Sequence, residues 1–450
     1  RGKQNPLAGG AVNRRYAYDK AGNLIQSADQ RSGVLNYVYD KIGRIQEARN
    51  SQTGRSETFA FDPAHNILSD KASEGKGGNI SSGNRLKEYN GIEYTYDALG
   101  NLIYRQLPDG ENQYYQYDLE NQLIRAEIKK PAGNTEIWTY AYDPFGRRLS
   151  KERQDKLAWT STDPKRTHFV WDGSRLLQEY TYKGSYTYIY TDQDSYEPLA
   201  QIFDNAKDGK QYLSYFHNDQ IGIPREMTDI HGNLLWYGEY TAWGRLKKDG
   251  RVYKNAHQPF RLQNQYFDEE TGLHYNLLRY YESEAGRFVN QDPIGLLGGD
   301  NLYQFAPNTL MWIDLWGLSA HGGGSYGNVR KASSGGEVNH MPAYKAVKDG
   351  GMSGGISRYK SPATWMSKAD HQKTASWGRR ATAIEWRSQQ AKLIDKGKFG
   401  KAMEMDIRDI KRKFGKKYNK GIREMIDYAI DEQHITRAEG RRLKRKYTKC

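Results

Sequence analysis

The sequence predicts a mostly β repeat over residues 1–318, followed by a small α+β, largely helical domain over residues 319–450. Three observations predict it. A Tyr-x-Tyr-Asp tetrapeptide, once written Phe-x-Phe-Asp, recurs six times between residues 16 and 143, each time ahead of a turn and a second short apolar run. The hydrophobic spacing changes from alternation to a helical period beyond about residue 380. Charge divides the chain as well: residues 319–450 hold 30 Lys+Arg against 13 Asp+Glu, and residues 1–318 hold 38 against 41. The whole formal excess of +14 therefore comes from the last part, which is the electrostatic footprint expected of a nucleic-acid-binding unit.

The repeat comes first. Its copies are Tyr16–Asp19, Tyr37–Asp40, Phe59–Asp62, Tyr94–Asp97, Tyr115–Asp118 and Tyr140–Asp143. The tightest steps run from Asp19 to Asp40, from Asp40 to Asp62 and from Asp97 to Asp118, which are nearly equal. Alternating rings belong to a strand with both rings on one face. The Asp then opens a turn, because its carboxylate reaches the backbone amides just ahead. Gly or Asn (Gly22, Gly43, Gly100, Asn121, Gly146) supplies the left-handed residue of that turn. A second strand follows, such as Leu24-Ile25 or Leu102-Ile103. One such hairpin cannot bury its aromatic face alone, whereas stacked hairpins can.

This pattern resembles the YD repeats of Rhs proteins, bacterial toxin-complex proteins and teneurins. Further pieces carry the resemblance: Phe216-His217-Asn218-Asp219 through Gly222-Ile223-Pro224-Arg225, Tyr240 to Arg245, Arg279-Tyr280-Tyr281, and Gly286-Arg287-Phe288 through Asn301-Leu302-Tyr303. It covers residues 13–318 and implies hairpins spiralling into a hollow cocoon that encloses a toxin. The expected boundaries are a repeat shell over 1–285 and a core-terminal segment over 286–318.

That segment holds Asp292-Pro293-Ile294-Gly295 and, beyond positions 296–313, Asp314-Leu315-Trp316-Gly317. Taken alone, both are ordinary turn sequences. The pair, at this spacing, resembles the Rhs autoproteolysis motif, with Leu315 where the family has Pro. The resemblance implies Asp292, Asp314 and the upstream Arg287 as catalytic residues, and scission between Leu318 and Ser319. Two neighbouring carboxyls share a proton, so one can activate water while the other polarises the scissile carbonyl.

The last part, 319–450, opens on a Gly- and Ser-rich stretch that reads as a linker over 319–336. Ile407, Ile410, Phe414 and Tyr418 share one helical face, as do Ile422, Met425, Ile426 and Ala429. Gly415 and Gly421 read as breaks between helices. Lys411, Arg412, Lys413, Lys416 and Lys417, with Arg441 and Arg442 in the tail, are the candidate phosphate contacts.

Chemistry concentrates ahead of the helices, in Glu337-Val338-Asn339-His340-Met341-Pro342-Ala343 and Ala369-Asp370-His371 through Thr374-Ala375-Ser376-Trp377-Gly378. These two segments resemble HNH/endonuclease VII-like toxin domains found at the ends of Rhs proteins, with Asn339 in place of that family's first His. The resemblance implies His340 as general base and a divalent metal, Mg or Zn, on His371 and Asp370, with Glu337 and Asn339 as further ligands or orienting groups. Function then reads as a DNA-cleaving effector, exported through a type VI route whose spike and adaptor proteins engage a region ahead of residue 1. An acidic immunity protein would neutralise it in the producing cell before delivery into the target-cell cytoplasm. An RNA-directed toxin (nuclease or ADP-ribosyltransferase) and a non-enzymatic nucleic-acid-binding module are the alternatives. No apolar run reaches the length of a membrane-spanning helix, and the only cysteine, Cys450, excludes disulfides and cysteine zinc sites.

Overall fold

The computed structural model describes residues 12–19, 23–68, 79–154, 165–192, 195–297, 300–318, 323–331, 336–351, 356–415 and 417–448. The chain divides into two compact units, Arg1–Ser319 and Ala320–Cys450.

The described strands of the first unit all pair antiparallel. A five-stranded meander runs from Arg14–Tyr18 to Ser56–Thr58, and a fifteen-stranded meander from Glu88–Tyr89 to Leu246–Arg251. A four-stranded sheet follows, from Tyr266–Phe267 to Arg287–Phe288. In each, strands adjacent in the sheet are adjacent in sequence. The hairpins are thus joined edge to edge by backbone hydrogen bonds.

The Asp of each repeat builds its turn. One carboxylate oxygen accepts from the amides two and four residues on: Asp40 from Ile42 and Arg44, Asp118 from Glu120 and Gln122, Asp143 from Phe145 and Arg147. The other oxygen takes the side chain four residues on, such as Asn66, Asn101 or Arg147. The residue three after the Asp has positive φ, and it is Gly43, Gly100, Asn121 or Gly146 as expected, but also His65.

One detail departs from simple alternation. The register slips by one residue just before the second ring, at Tyr18, Tyr39, Tyr96, Tyr117 and Tyr142. The first rings (Tyr37, Tyr94, Tyr115, Tyr140) are buried, whereas the second are less so. A bulge re-aims a side chain, and here several second-ring hydroxyls donate to a carbonyl at the start of the preceding hairpin's second strand. Tyr39 donates to Leu24 at 2.7 Å and Tyr142 to Leu123 at 2.8 Å; later in the sheet, Tyr190 donates to Leu176 at 2.7 Å and Tyr240 to Pro224 at 3.0 Å.

The large sheet packs on the segment that follows it through buried charge. Arg148 meets Asp268 at 2.5 Å, Lys151 meets Asp268 at 3.0 Å and Glu270 at 2.9 Å, and Arg105 pairs with Glu282. Glu179 is bonded by His257, Tyr188 and Tyr266. Buried ions persist only when paired in this way.

The second unit has a three-stranded antiparallel sheet in the order Gly323–Ser325, Pro362–Ser367, Gly336–His340. Around it lie helices α1 (Tyr326–Lys331), α2 (Tyr344–Asp349), α3 (Lys368–His371), α4 (Ala381–Asp395), α5 (Phe399–Phe414), α6 (Asn419–Asp431) and α7 (Arg437–Tyr447). The core joins Val347, Met366, Ile394, Met403, Ile407, Ile422, Ile426 and Leu443. Two expectations are corrected. The stretch 319–336 is not simply a linker, because a strand and α1 form inside it, where Tyr326 and Val329 are buried. Gly421 lies within α6 rather than between helices, since tertiary burial of Ile422 and Met425 outweighs its low helix propensity. Gly415 does end α5, with φ of 58°. Among the described residues no helix is long and apolar enough to cross a membrane.

Candidate functional site

The first candidate centre is a buried arginine between two carboxyls. Arg279 lies in the strand Arg279–Glu282 with its guanidinium over the Phe288 ring at 3.6 Å. Its Nη2 stands 3.2 Å from Asp292 Oδ2 and 3.4 Å from Asp314 Oδ2, and all three side chains are almost wholly excluded from solvent. Burial pushes the Asp314 carboxyl above the usual range, against the opposing pull of Arg279. One cation facing two buried acids leaves a site for one proton.

The chain leading to the expected scissile bond is held by the same groups. Arg279 Nε donates to the Gly317 carbonyl, and Nη1 donates to that of Leu302. The Leu318 amide donates to Asp314 Oδ1 at 3.0 Å. Gly317 has φ of 66°, and a Cβ there would lie 2.5 Å from the Asn276 carbonyl. Ser319, on the far side of the expected cut, lies outside the described residues. Arg287 does not join this cluster, which corrects the expected role: its guanidinium donates to Asn66 and to the Asn84 carbonyl and stands over Tyr303. The resemblance pointed to Arg287; the returning strand delivers Arg279 instead.

The second candidate centre is an open cleft of about 640 Å³ in the second unit. Glu337 and His340, from the strand Gly336–His340, line it together with His371 from α3 and the cations Arg330 and Arg358. His371 Nδ1 is 2.5 Å from Glu337 Oε2. A carboxylate there fixes the ring hydrogen on Nδ1 and leaves Nε2 as the reactive nitrogen. His340 stacks on Tyr326, with ring centroids 4.0 Å apart and planes at 12°. Its Nε2 is 3.3 Å from the Arg358 carbonyl, which accepts and so assigns that nitrogen the hydrogen, leaving Nδ1 as acceptor. Burial lowers His340 to about 4, so the ring is neutral at neutral pH.

The expected metal set does not assemble. Asp370 is buried and accepts from Lys417 Nζ at 2.8 Å and Tyr418 Oη at 2.7 Å. Burial pushes its carboxyl up, but these bonds outweigh that and hold it below the usual range. Asn339 is buried with its amide on the Met366 sulfur. Among the described residues, no group of three or more His, Cys, Asp or Glu side chains is placed to hold a metal ion. The residues therefore do not fit the expected divalent site.

The expected phosphate contacts are partly engaged within the unit. Lys413 pairs with Asp409, Lys417 with Asp370 and Arg442 with Glu404, while Lys411 donates to Asn419. Arg412 is largely exposed while touching Asp409, and Arg441 is exposed. Lys416 lies outside the described residues. Sequence reading also missed Asp406, buried in α5, where Trp386 Nε1 donates at 2.8 Å and Gln390 Nε2 at 2.7 Å. Burial lifts its carboxyl to about 7 despite those bonds. Its spacing with Asp409 on an apolar helix face was the available signal.

The family described as "RHS protein" matches residues 214–249. The chain belongs to the Rhs family. This Rhs chain is 37% identical over 332 residues to the "Double-stranded DNA deaminase toxin A" of Burkholderia cenocepacia (strain H111), covering 70% of this chain and 23% of that protein. It is 30% identical over 326 residues to the "Probable deoxyribonuclease RhsA" of Dickeya dadantii (strain 3937), covering 69% and 21%. It is 28% identical over 291 residues to the "tRNA3(Ser)-specific nuclease WapA" of Bacillus spizizenii (strain DSM 15029 / JCM 12233 / NBRC 101239 / NRRL B-23049 / TU-B-10), covering 64% and 11%. The chain thus spans a quarter or less of the length of these relatives.

Proposed function

We propose that this Rhs chain is part of a toxin used between competing bacteria, in which the first unit cuts itself from the second and the second cleaves nucleic acid in the recipient cell. One observation carries the nuclease reading: the Glu337–His371 pair and His340 line one cleft of a unit with 30 Lys+Arg against 13 Asp+Glu. An imidazole oriented by a carboxylate is suited to moving a proton at a phosphate, and the surrounding cations suit the polyanion. The relatives support the class. Their printed names give a DNA deaminase, a deoxyribonuclease and a tRNA nuclease, each similar over 70% of this chain or less. A common repeat joined to different nucleic-acid-directed domains would give this combination.

Release follows from the arginine-bridged carboxyls. Asp314, kept protonated, polarises the carbonyl of Leu318, and Asp292 activates water for attack between Leu318 and Ser319. Closure of the repeat around the toxin, export through a type VI machine and an acidic immunity partner complete the proposal.

The test is incubation of the purified chain with plasmid DNA and with total RNA, beside His371→Ala. Loss of either polymer that the variant abolishes supports the nuclease. If both stay intact, the nuclease reading falls. A variant that binds and kills like the parent points to the non-enzymatic module.

A further inference from the structure

We propose that the cleft of the second unit cleaves RNA without a metal ion, the substrate's own 2′-hydroxyl serving as nucleophile. This rests on the nuclease reading and narrows it to RNA, against the DNA that the sequence favoured.

The two polymers make different chemical demands. Hydrolysis of DNA needs an outside nucleophile, and a bound cation commonly generates it and offsets charge at phosphorus. Here the candidate ligands are otherwise occupied: Asp370 by Lys417 and Tyr418, Asn339 by Met366, and Glu337 by His371. What the cleft does present is two imidazoles with opposite assignments. His340 donates from Nε2 to the Arg358 carbonyl and has Nδ1 left to accept a proton. His371 is held at Nδ1 by the Glu337 carboxylate, which orients the ring and leaves Nε2 as the nitrogen that can give a proton. Arg330 and Arg358 line the same cleft and supply the positive charge that an ion would otherwise bring.

The step balances within RNA itself. His340 Nδ1 takes the proton of the 2′-hydroxyl, and the freed oxygen bonds to the adjacent phosphorus. The bond from phosphorus to the 5′ oxygen breaks, and that oxygen takes the proton from His371 Nε2. The products are a 2′,3′-cyclic phosphate and a 5′-hydroxyl end. The two imidazoles regain their starting states by exchange with water. His340 and His371 are the catalytic residues, and Glu337 is a positioning residue.

The decisive substrate is a DNA oligonucleotide carrying one ribonucleotide, incubated with the full chain in EDTA beside its all-DNA and 2′-O-methyl counterparts. Scission only after the ribonucleotide, leaving a cyclic phosphate, supports the proposal. Cutting of all-DNA substrate that requires added Mg²⁺ overturns it while leaving the nuclease reading intact. If none is cut under either condition, both readings fall. Variants keep the assignment testable. His371→Ala is expected to lose roughly 10²–10⁴-fold on the oligonucleotide. It should change little on uridine 3′-(4-nitrophenyl phosphate), whose leaving group needs no proton. Equal losses on both substrates overturn the acid role. Glu337→Gln, close in shape, is expected to slow the oligonucleotide while changing the nitrophenyl substrate little, and equal losses on both overturn its positioning role.

Discussion

Replacing Asp292 or Asp314 by Asn keeps side-chain volume but removes one of the two carboxyls that share the Arg279 guanidinium. The expected outcome is a chain that stays whole on a denaturing gel, whereas the parent yields two fragments whose masses place the cut after Leu318. The pH dependence has a definite sign. Because burial raises Asp314, its protonated form is favoured in the fold. The associated stability is present at low pH and is lost as pH rises through the raised value, so self-cleavage should slow on the alkaline side. Asp406 allows the same test in the second unit. Its carboxyl is lifted to about 7, so the stability tied to its proton disappears as pH rises through that value. Asp406→Asn should flatten the change in melting temperature between about pH 6 and about pH 8, each pH unit being worth at most about 1.4 kcal/mol for one proton. At this scale, the sequence named both acids of the buried pair and, in the cleft, Glu337, His340 and His371, but not Tyr326, on which His340 stacks. It could not name Arg279 over Arg287, because which arginine reaches the acids depends on how the last strands return. Nor could it tell that Asp370, adjacent to His371, is captured by Lys417 and Tyr418 of the α5–α6 region.

The hairpin is the element whose physics was most readable. Ring alternation gave its strands and the Asp–Gly spacing gave its turns, as the carboxylate bonds of Asp40, Asp118 and Asp143 bear out. The register slip and the tyrosine hydroxyl bonds were not readable, because a bulge leaves no signature in a period-two pattern. Tyr39→Phe removes one such bond, to the Leu24 carbonyl, while keeping the ring, and should cost about 1 kcal/mol in unfolding experiments. Two glycines separate conformational strain from crowding. Gly133 and Gly146 both have positive φ, but a Cβ at Gly133 meets nothing, whereas one at Gly146 would lie 2.7 Å from Leu278. Gly133→Ala should therefore lose about 1 kcal/mol or slightly more, and Gly146→Ala clearly more than that. In the second unit, helical periodicity found α5 and α6, but glycine content misread both 319–336 and Gly421 because packing decides such short stretches.

For the molecule as a whole, the division of charge separated the two units before any element was assigned, since no folding event alters it. How the first unit is bound together was hidden. Its buried ion pairs join residues more than a hundred positions apart, such as Arg148 with Asp268 and Lys151 with Glu270. Arg148→Met would strand Asp268 beside a single remaining cation, and a loss of about 3–5 kcal/mol is expected, read as a lower urea midpoint. For the second unit, nucleic-acid affinity should fall steeply with salt. Exposed Arg412 or Arg441 changed to Ala should lower that slope by about 1 on a duplex, or slightly less on a single strand. Lys417→Ala should instead destabilise the unit through Asp370.

The loop bearing Asp314 rests on parts of the large sheet made well before it: Trp316 Nε1 bonds Ser174 at 3.2 Å and Tyr196 at 3.4 Å, and Asn264 bridges the carbonyls of Ser174 and Leu315. Strands that pair only with their sequence neighbours can form one after another as the chain leaves the ribosome. The arginine and its two acids are among the last residues of that unit to emerge, and they have no seat until the earlier strands are in place. On the proposed self-cleavage, scission would be ordered in time: a molecule whose earlier strands have failed to form lacks the arginine and acid cluster as well, and its second unit stays joined to the first.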